Sequence, residues 1–165
     1  LMISRGAVGV CSGDEVLQSK DGNNNTYCHD NDKSYFNWKL VNKNKDFLDF
    51  FVAMLEFRRK YILTDDKKKI SIHGMQVWKP DFEYYNRQMG MLIEGKTDIY
   101  IILNMHWDRH EFCLPTIKKG SVWHILVNTD DINTPFKGDG AVKVDNHRKI
   151  AVEGRSCVIL VEKLI

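Results

Sequence analysis

The sequence predicts a mainly β fold, an antiparallel β-sandwich or small barrel, entered through a segment of a different kind. Three observations carry this. After Thr64 the chain breaks into short runs rich in Val, Ile, Tyr and Trp, at 70–72, 75–79, 88–94, 98–105, 110–114, 122–128, 148–152 and 155–162, the residue types that fit a pleated, half-buried surface. Turn signals separate them, at Glu94-Gly95-Lys96-Thr97, Lys118-Lys119-Gly120, Lys137-Gly138-Asp139-Gly140 and Asn146-His147, and this spacing is that of sandwiches and barrels. Before Thr64 the rhythm is absent, and a short apolar run, a polar loop and one amphipathic helix follow one another.

The elements of that first segment are justified in order. Residues 2–5 read as the end of a helix, with Gly6 as its stop. Ala7-Val8-Gly9-Val10-Cys11 is small and apolar on both faces, as in a strand of a parallel sheet, and equally as a piece of buried helix. Gly22-Asn23-Asn24-Asn25-Thr26-Tyr27-Cys28-His29-Asp30-Asn31 holds four asparagines and no aliphatic side chain. No helix or strand face is built that way, and Asn, Asp and Gly favour turns. From 46 to 61, Phe47, Phe50, Phe51, Met54, Phe57 and Tyr61 recur at spacings of three and four, which is one apolar helical stripe and a packing surface. Asp46 is the expected cap, and Arg58, Arg59 and Lys60 close the helix where cations suit its dipole.

Composition excludes several classes. With 165 residues, 43% of them hydrophobic and 11% aromatic, the chain can build a real core. A net charge of +2 is too weak for a nucleic-acid partner, and Lys67-Lys68-Lys69 reads as a solvated turn. No apolar stretch reaches the ~18 residues that a membrane span needs. The chain opens on Leu1 rather than Met, so targeting is not legible. Cys11, Cys28, Cys113 and Cys157 are scattered without a C-x-x-C pair; zinc and any other metal or cofactor are not expected, and buried free thiols are.

Few constellations carry chemistry. Asp14-Glu15 directly follows the apolar run, but neighbours on a strand point to opposite faces and cannot jointly flank one bond; a structural brace is the expectation. His106-Trp107-Asp108-Arg109-His110 spaces two histidines as a helical metal site would, yet it joins two strand-like runs, so a hairpin turn is expected. Asp65-Asp66 and Asp130-Asp131 read as turn acids, and Ser12 lacks a nucleophile elbow. The loop at 22–31 admits two readings. Its asparagines bond the loop itself, or they face a hydroxyl-rich ligand, with Tyr27 and Tyr35 to Trp38 as stacking surfaces.

Gly13-Asp14-Glu15, then Gly22 to Asn31, then Trp38, resembles the isoamylase and glycogen-debranching group of the α-amylase superfamily. In that group a G-D-E at the end of the last barrel strand precedes a G-N-N-N-x-Y-C-x-D-N loop. The order continues along nearly the whole chain. Phe51 to Arg59 resembles the last barrel helix, and His73-Gly74 with Trp78 the "W-H-G" to "P-D-W" region. Arg87 to Glu94 resembles "R-x-L-A-F-x-L-x-G". Ile102 to Trp107, with Phe112 and Leu114-Pro115, resembles the "N-A-x-W…F-x-L-P" hairpin. Trp123 and Arg155 to Leu160 resemble the closing strands.

The resemblance implies a C-terminal part of a retaining glycoside hydrolase that debranches glycogen or starch-type α-glucans at α-1,6 linkages. It implies that residues 1–64 are a remnant of the catalytic (β/α)8 barrel (last strand, long loop, last helix). Residues 65–165 are then the C-terminal β-sandwich domain, of about eight strands, with the helix packed on it through Phe50, Phe51 and Met54. The resemblance implies that the three catalytic carboxylates lie upstream of the matching segment, so that this chain holds none, and the ~250 residues that a complete barrel needs agree with this. Asn24, Asn25, Tyr27, Asp30 and Asn31 are assigned to substrate binding or its support. The expected partner is the α-glucan, with no nucleic acid, membrane or cofactor. Self-association through residues 1–11 is expected, or folding of that segment onto the helix, or its disorder. The expected location is bacterial cytoplasm, or a plastid for a plant source. The alternative is a standalone carbohydrate-binding or interaction module, for which exposed Trp78, Tyr84, Tyr85 and Trp107 would speak.

Overall fold

A computed structural model describes residues 1–63, 69–131, 133 and 135–164. Asp65-Asp66, Lys67-Lys68 and the turning point Thr64 lie outside the described residues. The chain divides into two compact units, Leu1–Thr64 and Asp65–Ile165.

In the first unit, Ala7–Cys11 forms no strand. A strand apolar on both faces needs a ladder on each edge, and among the described residues none pairs with it. Residues 2–5 form a turn rather than a helix end, closed by Ser4 N–H donating to Leu1 C=O at 3.1 Å. A single 3₁₀ turn follows at Asp14–Val16, then two helices, α1 (Lys39–Lys43) and α2 (Lys45–Phe57). The helical stripe leads into a π-type turn, Arg58–Ile62, instead of running on as α-helix to 61. Asn44, not Asp46, stands at the N-terminus of α2; its amide donates to Val16 C=O at 2.6 Å and ties the helix start to the loop before it. Met54, Phe57 and Ile62 are buried on the stripe, while Phe50 and Phe51 are half-buried.

Arg58 ends α2 as a clasp. It is buried, and its guanidinium donates to the carbonyls of Met2 (3.2 Å), Ser4 and Gly6. Of the outcomes expected for the N-terminal segment, folding onto the end of the helix is the one seen for residues 2–6.

The second unit has eight strands: β1 (Lys69–His73), β2 (Gln88–Glu94), β3 (Ile99–Asn104), β4 (His110–Cys113), β5 (Ser121–Asn128), β6 (Val142–Lys143), β7 (Lys149–Val152) and β8 (Ser156–Leu164). Six form one sheet in the order β1-β2-β3-β8-β5-β6, and β4-β7 form a second. All pairings are antiparallel. The expected mainly β, antiparallel architecture is present, with two sheets of unequal size. The run 75–79 is a turn, because Gly74 and Trp78 fold it back on His73.

Alternation along the strands builds the core. Leu92, Tyr100, Ile102, Val158 and Leu160 of the large sheet cluster with Phe112 and Val152 of the small one, together with Trp123. Gly90 makes room: a Cβ there would lie 2.2 Å from the Tyr100 hydroxyl. Burial pushes that phenol's pKa up strongly. The alternate residues Ile93, Ile99, Ile101, Ile159 and Val161 are buried as well, so β3 and β8 are apolar on both sides.

The stretch 105–109 is not a hairpin. It arches from β3 in the large sheet to β4 in the small one. Asn104, fully buried, pins the arch by directing its amide at the carbonyls of Asp108, Val152 and Glu153, at 2.9, 2.9 and 3.0 Å. Gly154 completes the fit, since a Cβ there would stand 2.2 Å from Trp107 C=O.

Candidate functional site in the asparagine loop

The loop begins at a glycine that the backbone demands. Gly13 has φ 105°, and a Cβ would lie 2.9 Å from that of Gln18. The carboxylates beside it turn inward on their own backbone: Asp14 accepts from Cys11 N–H at 3.1 Å and Glu15 from Gly13 N–H at 2.9 Å. They are a brace.

Gln18 then holds the two ends of the loop together. Its amide donates to Tyr35 C=O at 2.8 Å and accepts from Asn37 N–H at 2.9 Å. Lys20 reaches Ser34 C=O at 3.4 Å, and the Ser34 hydroxyl donates to Thr26 C=O at 3.2 Å. Inside this frame the asparagines form side-chain-to-backbone turns. Asn23 accepts from Asn25 N–H at 2.9 Å, and its amide donates to His29 Nε2 at 3.1 Å.

Of the five predicted site residues, Asn25 accepts from Tyr27 N–H at 3.4 Å and Asn31 from Lys33 N–H at 3.0 Å. Asp30 accepts from the Tyr35 hydroxyl at 2.6 Å. Asn24 is exposed and its side chain has no hydrogen-bond partner among the described residues. Tyr27 stands 96% exposed. The structure thus joins Asp30 to Tyr35, spends Asn25 and Asn31 on the loop's own backbone, and sends Asn24 and Tyr27 outward. The self-bonding reading describes Asn23, Asn25 and Asn31, while Asn24 and Tyr27 stand exposed. The Asp30 carboxylate, with some burial and the charge of Asp32, raises the Tyr35 pKa, so that hydroxyl stays protonated and donating at neutral pH.

Beyond Tyr35 lies an open groove of about 430 Å³ lined by Asp32, Tyr35, Phe36, Asn37, Trp38 and Lys39, a size suited to a small ligand. Phe36 and Trp38 meet edge-to-face at 4.7 Å, with Trp38 largely exposed. Loop and groove together offer amide, hydroxyl and carboxylate partners next to flat apolar rings. Among the described residues, no group of three or more His, Cys, Asp or Glu side chains is placed to hold a metal. Gln18 was missed by the sequence reading, because a contact across 17–19 residues leaves no local signal. The thiols differ from expectation too: Cys11 and Cys28 are exposed, since the loop has no interior to receive them.

No family model matches the chain. It is 33% identical over 136 residues to the chloroplastic isoamylase 1 of Oryza sativa subsp. japonica, covering 78% of this chain and 17% of that protein. Over 148 residues it is 24% identical to the glycogen debranching enzyme of Pectobacterium carotovorum, covering 84% of this chain and 21% of that one. Its fold is similar to that of pullulanase type I from Bacillus subtilis, solved with maltose, at a TM-score of 0.69 and 16% identity, over 97% of this chain and 22% of that chain. The chain spans about a fifth of the length of the relatives it matches. Among the described residues no helix is long and apolar enough to cross a membrane.

Proposed function

We propose, for a chain that is an isoamylase-type member of the α-amylase superfamily, that it forms the C-terminal part of a debranching glycoside hydrolase. The intact enzyme cleaves α-1,6 linkages of glycogen or starch-type α-glucans. Residues 1–64 are the end of its catalytic barrel, and residues 65–165 are a β-sandwich domain with a structural role. The catalytic carboxylates belong to the preceding part of the intact protein. Asn24, Asn25, Tyr27, Asp30 and Asn31 form one wall of the sugar cleft. Tyr27 and Asn24 meet the glucan, Asp30 acts through the Tyr35 hydroxyl, and Asn25 and Asn31 keep the loop in shape. The enzyme works in bacterial cytoplasm, or in a plastid.

The single observation that carries this reading is the loop itself. It is braced from within by Gln18, Asn23 and Ser34, yet it leaves Tyr27 and Asn24 facing outward.

Three measurements test the reading. The isolated chain releases no reducing ends from glycogen; measurable release would overturn the assignment of the catalytic groups elsewhere. In the intact enzyme, Tyr27→Ala lowers kcat/KM on limit dextrin by about tenfold, the scale of losing one good contact. An unchanged value would remove Tyr27 from the cleft. In the isolated chain, residues 7–11 have no ladder partner and form the surface for self-association; sedimentation that stays monomeric across a wide concentration range excludes this.

A further inference from the structure

We propose that the β-unit carries its own α-glucan-binding surface, formed by the aromatic loop that leads into β2 and the groove beside it. This rests on the debranching reading above for the identity of the glucan.

The loop is rigid from its base. Gly74 N–H donates to Lys79 C=O at 2.9 Å, and a Cβ on Gly74 would lie 2.5 Å from that oxygen. Trp78, at φ 62°, donates its N–H to His73 Nδ1 at 2.7 Å. Burial holds His73 below the usual histidine range, against the opposing pull of Glu94, so the ring is a neutral acceptor at pH 7. Farther along, Asp81 accepts from Glu83 N–H at 3.0 Å. The Asn86 amide donates to Asp81 C=O at 2.7 Å and Gln88 C=O at 2.9 Å.

On this frame the aromatics face water. Phe82 is 79% exposed, Tyr84 95% and Tyr85 63%. The two tyrosine rings meet edge-to-face at 5.6 Å. Apolar side chains this exposed and this close together on an ordered loop mark a binding surface. Beside them runs a groove of about 400 Å³ whose lining includes Phe82, Glu83, Asn86, Arg87, Gln88 and Met105, within the size range of small-ligand sites. Among the described residues, neither the Arg87 guanidinium nor the Glu83 carboxylate has a partner.

These features select the ligand class. The groove's lining holds one arginine, Arg87, and two carboxylates, Asp81 and Glu83, so it has no positive excess for phosphate, nucleic acid or an acidic peptide. Flat rings, one free donor fork and one free acceptor suit a neutral polyhydroxylated chain, with rings under its C–H faces and charges on its hydroxyls. A branched glucan extends far beyond any one cleft. A second contact on the same polypeptide therefore raises the effective concentration of branches at the first.

Native electrophoresis of the 165-residue chain through gels containing glycogen, with titration of maltoheptaose, tests the proposal. The expected result is retardation by glycogen, weakened about tenfold by Tyr84→Ala with Tyr85→Ala, the scale of truncating an interface anchor. Arg87→Ala weakens it severalfold. Melting curves of these surface variants stay at the parent temperature. The proposal is overturned by absence of retardation or by retention equal in the double variant. Binding of cellohexaose in place of maltoheptaose also overturns it. If debranching by the intact enzyme persists while the double variant binds glycogen normally, the surface fails and the enzymatic reading stands. The reverse pattern, glycogen binding without debranching, breaks the enzymatic reading alone.

Discussion

Among the described residues, four apolar side chains are buried in the first unit: Val16, Met54, Phe57 and Ile62. In the second unit the number is 18. Each fully buried aliphatic or aromatic side chain stabilises by roughly 1.5–3 kcal/mol, so the second unit rests on apolar burial. The first rests on polar side chains that reach backbone far away in sequence: Arg58 to residues 2–6, Asn44 to Val16, and Gln18 to Tyr35 and Asn37. Such a bond contributes about 1 kcal/mol net. The difference shows two ways of holding one chain in shape: the sheet unit depends on an apolar interior that tolerates no cavity, whereas the loop unit holds its shape through a handful of named hydrogen bonds.

Three changes probe that contrast. Phe112 is fully enclosed between the two sheets, so Phe112→Ala leaves a cavity and destabilises the second unit by ~3–5 kcal/mol. Urea unfolding followed by near-UV dichroism measures it. A loss under ~1 kcal/mol would mean that the core is not where the burial puts it.

Glu162 comes next. Its buried carboxylate accepts from Lys118 Nζ at 2.9 Å and from Asp98 N–H at 3.1 Å. Burial alone would push its pKa up, but Lys118, Asp98 and Ser121 outweigh that and hold it below the usual range. Its contribution is therefore full at neutral pH and is lost as pH falls through the ordinary glutamate range to the lower folded value. Glu162→Gln costs ~1–3 kcal/mol at pH 7 and flattens the acid limb of the stability profile. An acid limb of unchanged slope would show that this carboxylate is not what titrates.

The smallest effect is local. Arg58→Met frees the carbonyls of Met2, Ser4 and Gly6, worth ~1–3 kcal/mol to that segment. Limited trypsin digestion then cuts faster after Arg5 while the melting of the second unit stays where it was. Equal cutting rates would dismiss the clasp, and a shifted melt would tie it to the sheet instead.

Part of this was legible in the sequence. Seven of the eight strands sit on the runs that the sequence marks as strand-like, and the stripe from Phe47 to Phe57 fixes α2. The two-residue strand β6 and the short α1 were not legible, because neither carries enough periodicity to stand out. The strand expected at 7–11 failed for a related reason. An apolar run is a strand only when neighbouring backbone takes up its N–H and C=O groups, and pairing is not written in the run itself. In the asparagine loop the polar surface was legible, but the division of labour was not. Asn23, Asn25 and Asn31 differ from Asn24 in what their side chains reach, and that follows from backbone angles rather than residue type.

The sequence by itself determined the longer strands of the second unit, helix α2 and the loop at 22–31 with its polar side chains, because those features follow from local periodicity and side-chain chemistry. The tertiary structure alone decided that β8 lies between β3 and β5 while β4 leaves them to pair with β7. It also decided that Asn104 pins the crossing and that Arg58 folds the N-terminal segment back. Each of these joins residues far apart in sequence, and a non-local contact is selected by what the whole chain can bury and satisfy at once, not by the few residues on either side of it.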